Sequence, residues 1–113
     1  MQIIFESRDA AGTRMRDVSI DRMRFALRRL SWLVPHAKIQ LSDVNGPRGG
    51  VDKRCQVELK TQTAGTLVIS ALANNWRTAL DQSLARATKV LTHTMQRKQQ
   101  PVRERSTPQK DAS

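Results

Sequence analysis

Two stretches decide how this sequence folds: Ala37-Lys38-Ile39-Gln40-Leu41-Ser42 and Asp52-Lys53-Arg54-Cys55-Gln56-Val57-Glu58-Leu59-Lys60. In each, apolar and polar side chains alternate, the period of a strand with one face on a core and the other in water. Ala37, Ile39 and Leu41 form the inward set of the first, and Cys55, Val57 and Leu59 that of the second, with Arg54, Gln56, Glu58 and Lys60 outward. Asn45-Gly46-Pro47-Arg48-Gly49-Gly50 between them is loop by composition, and Gln62–Gly65 is a tight turn into a third strand, Thr66–Leu72. Hairpins arranged in this way build an antiparallel sheet.

Outward from these strands the period changes. Gln2–Ser7, carrying Ile3, Ile4 and Phe5, reads as an N-terminal strand. From Thr13, the expected N-cap, to about Leu33, the side chains Met15, Met23, Ala26, Leu27, Leu30 and Leu33 fall on one arc at about 100° per residue, which predicts a single helix. Pro35 ends it, because proline disfavours the α conformation in the residue before it. Asn74 or Asn75 caps a last helix whose stripe is Trp76, Leu80, Ser83, Leu84, Ala87, Leu91 and Met95, running to about Arg97. After it, two prolines and many polar residues cannot repay the entropy of ordering. The expectation is therefore an α+β domain of order βαβββα over residues 1–97, with a flexible basic tail over 98–113.

The 113 residues suit one domain, and 20 Lys+Arg against 10 Asp+Glu give a formal charge of +10, of which +3 falls in residues 96–113. Such a balance favours a polyanionic partner, nucleic acid ahead of an anionic membrane. No apolar run approaches the roughly 18 residues of a membrane span, and the first residues lack a signal-peptide layout, so the expected compartment is the cytoplasm. A lone cysteine, Cys55, and two distant histidines, His36 and His93, make neither a disulfide nor a zinc site. The glycine-rich loop lacks the Walker Lys-Ser/Thr and joins two strands instead of opening a helix. No constellation for catalysis or for a cofactor stands out, and a non-enzyme is expected.

Charge placement says more. On the last helix Arg86, Lys89, His93 and Arg97 share a sector of about 80° opposite the apolar stripe, with no acid among them. Solvated faces usually alternate sign to gain i,i+4 pairs, which a row of like charges forgoes. The first helix carries Arg14, Asp17, Asp21, Arg24 and Arg28 on a face that can neutralise itself. Arg22 and Arg29 sit instead near Val18 and Phe25 at the edge of the apolar arc, where a guanidinium suits phosphate or a base, or simply covers the core with its stem. Lys53 and Arg54 follow the glycine loop and its Arg48. Trp32 and Trp76, at helix ends, read as packing anchors.

Met1-Gln2-Ile3, the helix closing Leu27-Arg28-Arg29-Leu30, the βαβββα order, and Ala79-Leu80-Asp81 followed by Arg86 and Lys89 together resemble the ribosome hibernation promoting factor family, also called ribosome-associated translation inhibitors. The resemblance covers about residues 1–97 and rests on order and spacing more than on any single motif. It implies a double-stranded-RNA-binding-domain-like fold, two helices on one face of a four-stranded sheet. It also implies binding to the small ribosomal subunit, in the channel of messenger RNA and the A- and P-site transfer RNAs, with Arg86 and Lys89 at positions that contact ribosomal RNA. Met23 and Ala26 stand where the family carries lysines, Arg77 stands for a tyrosine beside Trp76, and Thr92-His93-Thr94-Met95 is less basic than usual. The additional ribosome-dimerising domain of long members is not in this sequence, which leaves room for a separate dimerising partner.

The combined expectation is a steric translation inhibitor contacting ribosomal RNA through Arg22, Arg29, Lys53, Arg54, Arg77, Arg86, Lys89 and Arg97. The alternatives are an RNA-binding module with another target and a protein-interaction regulator working through a sheet edge.

Overall fold

The computed structural model describes residues 1–44 and 52–99, without the side chains of residues 95 and 97–99; the glycine-rich loop with Arg48 and the expected tail beyond residue 99 lie outside the described residues. The strands are β1 (Gln2–Ser7), β2 (His36–Asp43), β3 (Lys53–Lys60) and β4 (Thr66–Ala73), in one sheet of order β1-β2-β3-β4. β2, β3 and β4 pair antiparallel, as the expected hairpins require, and β1 joins β2 in parallel. A parallel neighbour needs a crossover connection, and the helical segment between β1 and β2 supplies it.

Alternation places Ala37, Ile39, Leu41, Cys55, Val57, Leu59, Ala71 and Ala73 on the buried face. The opposite face, with Gln40, Arg54, Lys60, Val68 and Leu72, is exposed. Helix α3 (Trp76–Gln99) lies on β3 and β4, its stripe of Trp76, Leu80, Ser83, Leu84, Ala87 and Leu91 buried as the periodicity predicts. Each leucine so covered contributes about 1.5–3 kcal/mol relative to exposure. Asn75 starts the helix: its Oδ1 accepts the Thr78 backbone N–H at 2.8 Å.

The segment predicted as one helix from Thr13 to Leu33 is three pieces: α1 (Ala10–Thr13), α2 (Arg16–Ala26) and a 3-10 turn at Ser31–Leu33. Thr13 is not a cap but the end of α1, its hydroxyl donating back to Asp9 O at 3.0 Å. Gly12 is buried where the chain presses onto Ser7 and Leu41, which fixes α1 in place before α2 starts. After Ala26 the backbone tightens: Leu30 N–H donates to Leu27 O at 2.9 Å and Leu33 N–H to Leu30 O at 2.9 Å. Side chains three apart align in such turns, so Leu27, Leu30 and Leu33 all reach the core without α-helix. Their spacing of three fits both geometries, and Pro35 forces the tighter one near the end.

Candidate nucleic-acid interface

The basic side chains singled out from the sequence divide by the charges around them. Arg86, Lys89 and His93 are exposed along α3. Arg86 donates to the Ser70 carbonyl on β4 at 2.7 Å, a bond that anchors the guanidinium without cancelling its charge. Neither Lys89 nor His93 has a carboxylate partner among the described residues. Arg97 continues the helix, but its side chain lies outside what is described. Arg29 is exposed between α2 and the 3-10 turn, with no carboxylate partner among the described residues.

Others are committed to the fold. Arg22 Nε donates to Asp81 Oδ1 at 2.7 Å and ties α2 to α3, and Arg77 Nε lies 3.9 Å from the other oxygen of the same carboxylate. Lys53 Nζ holds Asp52 Oδ1 at 3.0 Å and Asp43 Oδ2 at 3.2 Å and sits 5.6 Å from the Trp76 ring centroid. The hydrogen bond to Asp52 raises the Lys53 pKa above its usual value, partial burial opposes it, and Asp43 adds to the rise. Asp52 itself is fully buried, so this lysine neutralises a core charge at the mouth of the β2–β3 pair. Arg54 has no carboxylate partner among the described residues and donates to Gln56 Oε1 at 2.8 Å, but it faces the uncovered side of the sheet, opposite the helices. The eight residues therefore do not converge on one patch: Arg29, Arg77, Arg86 and Lys89 belong to the helical side and Arg54 to the other.

Two expectations are corrected. The face of Arg14, Asp17, Asp21, Arg24 and Arg28 does not neutralise itself through i,i+4 pairs, because α2 spans only Arg16–Ala26 and leaves Arg14 and Arg28 off the helix. Asp17 pairs with its neighbour Arg16 at 3.1 Å, and Arg28 turns onto Phe25. Trp76 is buried as an anchor, but Trp32 is 61 % exposed, since the 3-10 turn that buries Leu33 swings its neighbour outward. What the sequence reading missed is the pairing of Phe25 with Arg28, whose guanidinium lies 4.2 Å from the ring centroid. Its signal was an aromatic off the apolar arc with an arginine three residues on.

Cys55 is no nucleophile. Burial pushes its thiol up to about 11, with the Ser83 hydroxyl 3.0 Å away and that hydroxyl in turn 2.9 Å from the Leu80 carbonyl. Among the described residues no cluster of His, Cys, Asp and Glu could hold a metal ion, and no helix is long and apolar enough to cross a membrane.

Solved structures share this arrangement. A ribosomal subunit interface protein from Coxiella burnetii superposes with a TM-score of 0.67 at 13% identity, covering 85% of this chain and 99% of that one. The N-terminal domain of Protein Y from Thermus thermophilus gives 0.59 at 17% identity, covering 83% and 99%. The chain has their fold. No protein-family model and no curated protein sequence matches it. The two-layer α+β architecture expected from the sequence is thus the architecture of these proteins, with the α3 ridge carried on its helical side.

Proposed function

We propose that this protein is a ribosome-associated inhibitor of translation that occupies the messenger and transfer RNA channel of the small subunit and acts sterically. The observation that carries the reading is the α3 face, where Arg86, Lys89 and His93 stand exposed with no carboxylate among them. A fold shared with a ribosomal subunit interface protein supports the choice of partner. Folded RNA presents phosphates at regular spacing, and a ridge of like charge on a rigid helix suits shape and phosphate recognition more than base reading. The RNA contacts we assign are Arg29, Arg77, Arg86, Lys89 and Arg97 on the helical side, with Arg54 reaching the opposite channel wall. Arg22 and Lys53 contribute by holding the fold. The mechanism needs no catalytic group or cofactor, and the compartment is that of the ribosome, the cytoplasm.

The test is co-sedimentation with purified small subunits, repeated with Lys89→Glu. The wild type should pellet with the subunits and the variant should not. A wild type that stays in the supernatant at low salt overturns the reading. Lys89 is the better probe than Arg86, because the Arg86 bond to Ser70 also guards β4, a strand without a charged residue.

A further inference from the structure

Between α2 and α3 runs a cleft of about 610 Å³, lined by Asp21, Phe25, Arg28, Asp81 and Leu84 among others. Its size falls within the roughly 300–1,000 Å³ of small-ligand sites. Three features set its chemistry. Phe25 is 68 % exposed, an aromatic ring left outside a core that takes in Met23 and Leu27 on either side of it. Arg28 lies over that ring at 4.2 Å, and its Nη1 donates to the Phe25 carbonyl at 2.8 Å, so the guanidinium plane is fixed against the ring. The carboxylate of Asp21, one turn before Phe25 on the same helix, has no hydrogen bond or ion pair among the described residues.

An aromatic ring with an arginine stacked on it is a platform for another flat ring. The carboxylates decide what kind. Asp81 is closed on Arg22, which lines the cleft as well, so the choice of partner falls to Asp21. A carboxylate accepts hydrogen bonds and cannot donate them, so it selects a base edge that presents donors. Guanine offers two adjacent N–H donors on its pairing edge, matching the two oxygens of Asp21. Adenine and cytosine each set an acceptor beside their amino donor, and uracil flanks its one donor with acceptors. The α3 ridge supplies phosphate contacts outside the cleft, which favours a base carried on a strand over a free nucleotide.

We infer that the α2–α3 cleft binds an unpaired guanine base of single-stranded RNA, stacked on the Phe25–Arg28 pair and held at its pairing edge by Asp21. The inference deepens the proposed function and rests on the chain being an RNA binder. Fluorescence anisotropy with labelled pentamers UUGUU and UUAUU tests it on the intact protein. UUGUU should bind about tenfold tighter than UUAUU. Asp21→Asn should remove that preference, and Phe25→Leu should weaken both pentamers by about tenfold or more. Both side chains are exposed and neither closes the core, so thermal melts of the variants should match the wild type. Equal binding of the two pentamers by the wild type, or a guanine preference that survives Asp21→Asn, overturns the inference. So does guanosine monophosphate binding as tightly as UUGUU, which would make the site one for the free nucleotide. Subunit co-sedimentation separates the two claims: a protein that pellets with subunits but ignores guanine refutes the cleft alone, and one that prefers guanine but does not pellet refutes the ribosomal reading alone.

Discussion

Salt should weaken binding to the small subunit by an amount that the ion pairs fix. Of the eight basic residues that the sequence nominates, Arg29, Arg54, Arg86 and Lys89 have no carboxylate partner among the described residues. Arg22 and Lys53 are closed on Asp81, Asp43 and Asp52. Each phosphate neutralised contributes about 0.7–0.9 to the slope of log affinity against log salt, so four contacts give about −3 to −4. Contributions from Arg77, which shares Asp81, and from Arg97 would bring it to about −4 to −5. From 50 to 200 mM salt, four contacts mean a loss of about 50- to 150-fold, whereas eight would mean several thousand-fold, roughly. Pelleting titrations with purified subunits at constant magnesium read the slope directly. A slope steeper than about −6 would show that more cations than these six meet RNA phosphates, and a slope near zero would remove phosphate recognition altogether.

Three further outcomes follow from the packing. The unfolded Cys55 thiol ionises near 9.0 and the native one near about 11, so native stability is whole below 9.0 and falls as pH rises toward 11. Two pKa units correspond to about 2–3 kcal/mol. Urea titrations across this range should show the fall, and Cys55→Ala should flatten it up to about 10.5, above which unfolded Lys53 sheds its proton while the native, raised ammonium keeps it and stability falls for that reason too; a wild-type curve already flat there would refute the buried thiol. Gly12→Ala places a Cβ against Ser7 Oγ and 3.2 Å from Ser7 Cβ, which should destabilise by about 1–3 kcal/mol in urea, and a neutral change would mean that α1 yields freely. A double-mutant cycle on Arg22 and Asp81, both about 40 % exposed, should give a coupling of only about 0.5 kcal/mol. Zero coupling combined with a large loss of subunit affinity in Arg22→Gln would assign that arginine to RNA.

The strands were legible because alternation survives in any sheet with one face in water: β1 appears at its expected bounds, and β2, β3 and β4 within a residue at each end. The α3 stripe was legible for the same reason at a helical period. The segment before Pro35 was not, because leucines three apart satisfy an α-helix and a chain of 3-10 turns alike, and only backbone hydrogen bonds separate the two. The α3 ridge could be read from spacing, since it needs only a straight helix. Which basic residues are spoken for could not: Arg22 meets Asp81 across helices far apart in sequence, and Lys53 meets Asp43 only through the register in which β2 and β3 pair. Phe25 and Arg28 form a local pair, yet their place beside the cleft depends on how α2 crosses α3.

The central claim, that α3 presents its basic ridge to ribosomal RNA in the channel of the small subunit, is tested most directly by a density map of the protein bound to purified subunits. Density should lie in the messenger and transfer RNA channel with Arg86 and Lys89 against the RNA backbone. Density elsewhere on the subunit, or α3 turned toward solvent, would contradict it.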